Sequence, residues 1–202
     1  MRILLGKSIM KRLALFFLMS QTVASAQESR KPEEADPRTT TRVTLGSATG
    51  TPGTPVVIPI YFTPAAGVDV GRLKLDVHFV SASLKFVKIE RGITAELGNV
   101  DLRAEVRGEK NEKGVETSAL AIVASFLSPG PPPKGIPAGI LGYLALKIDE
   151  GGRPASISLR ATAEAAELKT KKPVENLRAS DGKVDVLAPG TQPLLACFFF
   201  SH

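Results

Sequence analysis

The side chains that could carry chemistry in this chain are few, and their spacing speaks against catalysis. The 202 residues include two histidines, His78 and His202, and one cysteine, Cys197. A serine–histidine–aspartate triad would have to be built on His78, with Ser118 or Ser125 as nucleophile. That chemistry needs the base within hydrogen-bond reach of the serine and a carboxylate to orient the ring. There is no Gly-x-Ser-x-Gly elbow to present a serine, and His78 falls mid-strand on a polar face, where it reads as solvated or partner-facing. Cysteine and histidine never come at zinc-ligand spacing. Glycoside hydrolysis needs two carboxylates set across a cleft. Asp149-Glu150 and Glu164/Glu167 are pairs, but they read as turn and surface charge. Asp181 and Asp185 beside a single glycine offer too few oxygens for a calcium loop, and no Gly-rich phosphate loop is present. The expectation is a protein without catalytic residues, metal or cofactor.

A binding role must therefore be carried by surfaces. Sugar-binding sandwiches stack aromatic rings on sugar faces. This chain has no tryptophan and two tyrosines, Tyr61 and Tyr143, distant in sequence. A carbohydrate-binding module is thus the alternative reading, weakened by the missing aromatic platform.

The elements that must position any surface are strands. From Arg72 to Phe79, Leu73, Leu75, Val77 and Phe79 point one way and Arg72, Lys74, Asp76 and His78 the other. This period of two marks a half-buried strand. Further strands are expected at Arg42–Leu45, Pro55–Phe62, Leu84–Glu90, Asp101–Arg107, Val115–Leu127, Ile140–Ile148, Ala155–Leu159, Ala161–Leu168 and Lys183–Leu187. Turn signals separate them at Ser47–Gly53, Gly108–Gly114, Gly151-Gly152 and Asp181-Gly182. The Pro-rich Ser128–Gly135 reads as a polyproline loop inside the domain. The expected architecture is all-β, a two-sheet, jelly-roll-like β-sandwich of about nine strands. With one cysteine, no internal disulfide is expected, so the core must hold it.

Val115–Leu127 is unusual. Ser118, Leu120, Ile122, Ala124 and Phe126 form a core face, yet the opposite face carries Thr117, Ala119, Ala121, Val123, Ser125 and Leu127. Small and apolar residues on both sides mean burial on both sides or an exposed docking stripe.

Three segments in order resemble the cohesin domain family. They are Gly50-Thr-Pro-Gly-Thr-Pro-Val-Val-Ile-Pro-Ile-Tyr-Phe62, the strand pair from Gly71 to Gly92, and Asp181-Gly-Lys-Val-Asp-Val186. The resemblance spans Arg42 to Leu187 and departs at the turn after Phe79, where Val80-Ser81 replaces the usual Asp-Pro. It implies a non-catalytic module that binds a dockerin-type protein partner, in a family that organises polysaccharide-degrading enzymes. It also implies that Arg72–Val80 and Val115–Leu127 lie together in the receiving sheet. The expected partner-binding residues are then Arg72, Lys74, Asp76, His78, Ala121, Val123, Ser125 and Leu127. Cohesins often carry Asn and Asp where Arg72 and Lys74 stand, so the basic pair implies a more acidic partner.

The ends of the chain read as targeting and tail. Residues 1–26 have a basic start (Arg2, Lys7, Lys11, Arg12), a short apolar core from Leu13 to Met19, and Ala24-Ser25-Ala26 before Gln27. This is the pattern of a signal peptide, with Met10 an alternative start. Its removal lowers the 26 basic residues by four, to 22 against 20 acidic, so a nucleic-acid reading of the +6 charge loses its basis. The protein is expected to be secreted or envelope-associated, with no transmembrane helix in the mature chain. Residues 27–41 read as a flexible lead, 42–188 as the sandwich and 189–202 as a tail. The tail, Leu194-Leu-Ala-Cys-Phe-Phe-Phe-Ser-His, is apolar. It reads as a segment that packs on a strand or neighbour, as a sorting tag, or as part of an envelope or secretion assembly.

Overall fold

The computed structural model describes residues 38–110, 116–127 and 134–191. The expected signal peptide, most of the lead and the Pro-rich loop, and the tail beyond Thr191 lie outside those residues. All described residues belong to one compact unit, residues 35–202.

Among the described residues eleven strands and one short helix are formed: β1 (Thr41–Leu45), β2 (Ser47–Gly50), β3 (Pro55–Thr63), β4 (Val70–Val80), β5 (Leu84–Arg91), α1 (Ile93–Leu97), β6 (Val100–Lys110), β7 (Glu116–Phe126), β8 (Gly139–Ile148), β9 (Ala155–Glu167), β10 (Leu177–Ser180) and β11 (Gly182–Val186). They make a five-stranded sheet I, ordered β10-β1-β3-β8-β5, and a six-stranded sheet II, ordered β2-β11-β9-β4-β7-β6. The all-β sandwich expected from the sequence is what forms.

The alternation in β4 does what it dictates: Leu73, Leu75, Val77 and Phe79 are at most 3% exposed. They meet Leu120, Ile122 and Ala124 of β7, Leu141, Leu144, Leu146 and Ile148 of β8, and Ile58, Ile60 and Phe62 of β3 in one core. Phe126, expected on a core face, packs against its margin together with Phe86 and Ile89, all three partly exposed.

Three expectations need correction. Ala155–Leu159 and Ala161–Leu168 are one continuous strand, β9, because Arg160 sits in the ladder opposite His78 rather than in a break. Ser47–Gly50 is a strand within what reads as a turn: it pairs in parallel with β11, so its partner lies far along the chain. Leu177–Ser180 likewise pairs in parallel with β1.

These last two strands belong to a shared device. β1 and β2 lie in different sheets, as do β10 and β11, so each segment crosses from one sheet to the other. The crossings occur at Gly46 and at Asp181-Gly182, and the two glycines face each other. A Cβ at Gly182 would stand 2.4 Å from the Gly46 carbonyl oxygen, and one at Gly46 would stand 2.6 Å from the Pro59 ring. No side chain fits either position. Asp181, at the second kink, accepts a hydrogen bond from the Ala161 amide at 2.8 Å and ties the corner to β9.

Candidate functional site

The candidate site is the outer face of sheet II. β4 and β7 are antiparallel neighbours, with Arg72 opposite Ser125, Lys74 opposite Val123, Asp76 opposite Ala121 and His78 opposite Ala119. The outward half of β4 is thus laid beside the outward half of β7, as the sequence led one to expect. β9 extends the face on one side with Ala166, Glu164, Thr162 and Arg160. β6 extends it on the other with Asp101, Arg103, Glu105 and Arg107, opposite Ser125, Val123, Ala121 and Ala119.

The face is a charged field with a narrow neutral furrow. Lys74 Nζ is 2.9 Å from Asp76 and 3.9 Å from Glu164. On β6, Arg103 pairs with Asp101 at 2.9 Å and Arg107 with Glu105 at 3.1 Å. Between these rows runs β7. Its outward Ala119 and Ala121 are only 5% and 6% exposed, although no described strand or helix packs over the sheet there. A methyl between two strands of long side chains is shielded by them. Ala121, expected as part of an exposed apolar stripe, therefore forms the floor of a furrow. Val123, half-buried between Lys74 and Arg103, rises above that floor. Leu127, 37% exposed, closes the far end. It is held there by Asn99, which adopts φ 54; the Asn99 carbonyl accepts from the Leu127 amide at 2.9 Å, and its side-chain amide donates to the Leu127 carbonyl at 3.3 Å. α1, a few residues before Asn99, leaves Leu97 exposed at the same corner.

The electrostatics are more balanced than Arg72 and Lys74 alone imply. The hydrogen bond from Lys74 to Asp76, then the charges of Asp76 and Glu164, raise the Lys74 pKa above its ordinary value of 10.5. Lys74 is thus a firmly protonated but already paired cation. At the Arg72 end, a cavity of about 410 Å³ opens between β4 and the turn after β9, lined by Arg72, Lys74, Lys171 and Glu164 among others. Cations there outnumber carboxylates.

The β6 charges were not singled out from the sequence, and Glu164 of β9 was read only as surface charge. The signal existed: Asp101, Arg103, Glu105 and Arg107 alternate with period two along an expected strand. The tyrosines lie elsewhere. Tyr61 and Tyr143 are on β3 and β8, paired neighbours in sheet I, on the side away from the candidate site. Among the described residues no cluster of acidic, histidine or cysteine side chains could hold a metal ion. Nor is any helix among them long and apolar enough to cross a membrane.

Solved structures share this fold. The seventh type I cohesin of ScaB from Pseudobacteroides cellulosolvens superposes with a TM-score of 0.54 at 19% identity, over 79% of this chain and 99% of that one. A non-cellulosomal cohesin from the archaeon Archaeoglobus fulgidus gives 0.52 at 17%, over 73% and 91%. The sixth cohesin of scaffoldin B from Acetivibrio cellulolyticus, solved in complex with a mutant Cel5 dockerin, gives 0.52 at 16%, over 74% and 100%. The fold is that of a cohesin domain. No family model and no curated protein matches the sequence. Within that cohesin-like frame, the strands that carry Arg72, Lys74, Asp76 and His78 and those that carry Ala121, Val123, Ser125 and Leu127 sit side by side in one sheet.

Proposed function

We propose that this chain is an exported, non-catalytic protein-binding module that receives a dockerin-like partner on the outer face of sheet II. The observation that carries the reading is the β4–β7 register. It gathers Val123, the alanine floor and flanking charges into one continuous surface, with no catalytic constellation beside it among the described residues. A furrow with an apolar rise and a charged margin is the usual anatomy of a protein interface: apolar centre, polar rim. Cohesin structures solved with dockerins bound support the same reading. The partner brings a carboxylate to the cation-rich cavity by Arg72, Lys74 and Lys171, and mixed charge to the Arg103 and Arg107 rows. A role beside polysaccharide-degrading enzymes follows from the resemblance, and export from the residue 1–26 pattern.

The test is capture followed by titration. The exported protein is immobilised and exposed to a panel of type I dockerins and to the secreted and envelope fractions of its source. Binding that saturates and is lost on Val123→Asp supports the reading. Failure to bind any protein, with retention on polysaccharide that Tyr61→Ala abolishes, sinks it.

A further inference from the structure

The outer face of sheet I is the apolar one. Along β3, Val57 is 53% and Tyr61 42% exposed, with Pro59 between them. β8 sets Tyr143 opposite Pro59 and Ala145 opposite Val57. A bulge in β5 between Phe86 and Lys88 leaves Val87 52% exposed along the same sheet. Lys85, Lys88, Glu90 and Lys147 stand around this patch. A sheet face with apolar residues in the middle and charges at the rim is one that expects cover.

The chain leaves its last strand where such cover is needed. After β11, the Leu187 amide donates to the Gly50 carbonyl at 2.8 Å. Gly50 packs against Val56 and Ile148, so the chain emerges where β3 begins and β8 ends. There it turns back. The Thr191 amide donates to the Ala188 carbonyl at 3.1 Å, and Gly190 has φ 82 after Pro189. Proline then a positive-φ glycine under an i to i+3 bond is a type II turn. The residues that follow, 192–202, contain no Asp, Glu, Lys or Arg and include Leu194, Leu195, Phe198, Phe199 and Phe200. At about 3.3 Å per extended residue, these eleven reach roughly 36 Å, while β3 with nine residues spans about 30 Å.

We propose that residues 194–200 dock on the outer face of sheet I of the same molecule, laying their leucines and phenylalanines over Val57, Pro59, Tyr61, Tyr143 and Val87. The charged face of sheet II offers such a segment nothing, since it has no charge to pair there. The two faces are thereby divided: one covered by the chain's own C-terminal segment, the other open for a partner. The inference does not depend on the proposed function.

The only native cysteine, Cys197, lies within the segment and supplies the test. In the full-length protein, Val57→Cys is oxidised with diamide, and the product is resolved by non-reducing gel and peptide mass spectrometry. Lys183→Cys, outward on sheet II in the strand from which the chain leaves, is the control for random encounter. The expected result is a monomer in which a disulfide joins the thiol introduced at position 57 to Cys197, forming at least about ten times faster than in the control. That difference should collapse when Phe198, Phe199 and Phe200 are changed to Ser. Equal rates at both positions, or free thiols throughout, would overturn the proposal. A disulfide-linked dimer as the main product would assign the face to a second copy instead and equally overturn it.

Discussion

Val123→Asp should separate docking from folding, and the structure gives the reason. Full burial of a valine is worth about 1.5–3 kcal/mol; Val123 is half-buried, so about 1 kcal/mol is lost. Aspartate is disfavoured in strands by up to about 1 kcal/mol. Against this, position 123 lies directly between Lys74 and Arg103 on the flanking strands. An exposed carboxylate there gains two cations, each worth about 0.2–1 kcal/mol. The net destabilisation is about 1 kcal/mol, a fall in melting temperature of roughly 2–4 °C for a domain of this size. If Val123 is the central anchor, its loss costs at least about 2 kcal/mol of binding, or roughly 30-fold in Kd. Thermal melts followed by circular dichroism, beside titration calorimetry with the captured partner, measure both quantities. Val77→Asp, fully buried on the opposite side of β4, should abolish folding and serves as the contrast. Partner affinity unchanged by Val123→Asp, or a melting drop beyond about 10 °C, would refute the reasoning.

Three further outcomes are expected. Arg72→Glu should weaken partner binding most at low ionic strength, with the deficit shrinking as salt rises, because screening acts over about 10 Å at 0.1 M; a salt-independent deficit would place Arg72 outside the contact. Gly182→Val should destabilise by about 1–3 kcal/mol in chemical denaturation, since its Cβ would meet the Gly46 carbonyl at 2.4 Å; a wild-type denaturation midpoint would show that the crossing is not as tight as described. Asp185 accepts hydrogen bonds from Lys183 at 2.8 Å and Ser156 at 2.7 Å, and these hold its carboxyl below the ordinary 3.8. A carboxyl lowered by folding stabilises the fold above its unfolded value and loses that contribution as pH falls through its folded value. The melting difference between wild type and Asp185→Asn should therefore be present at neutral pH, begin to shrink as pH falls through 3.8 and vanish only below the lower folded value; a difference that does not shrink on acidification would assign the effect to packing.

What could be read from the sequence depended on where the cause of each feature lies. β4 was legible because Arg72 to Phe79 alternates within its own short run. The pairing of β4 with β7 came through the cohesin resemblance, and the register makes the two halves of the face meet as expected. β2 was not legible: Ser47-Ala-Thr-Gly50 has no apolar period, and its partner strand begins only at Gly182. α1 escaped because five residues between glycines carry no helical repeat. The furrow was hidden for a different reason. Ala119 and Ala121 look apolar and available in sequence, but their burial is caused by Asp76, His78, Glu105 and Arg107 on the flanking strands. Likewise, Lys74 reads as a bare cation until β9 brings Glu164 beside it.

The paired crossings at Gly46 and Gly182 also bear on the order in which the molecule can be completed. β1 and β2 emerge first from synthesis, yet their parallel partners, β10 and β11, are the last strands of the sandwich to be made. Until those arrive, β1 has an open edge in sheet I, and β2 has no place in sheet II at all. Such long-range parallel pairing is slow, because loop closure must precede the contacts that reward it. A chain translocated from its N-terminus would therefore remain unsealed until β10 and β11 have followed. Closing the sandwich and delivering the segment beyond β11 thus become a single late event.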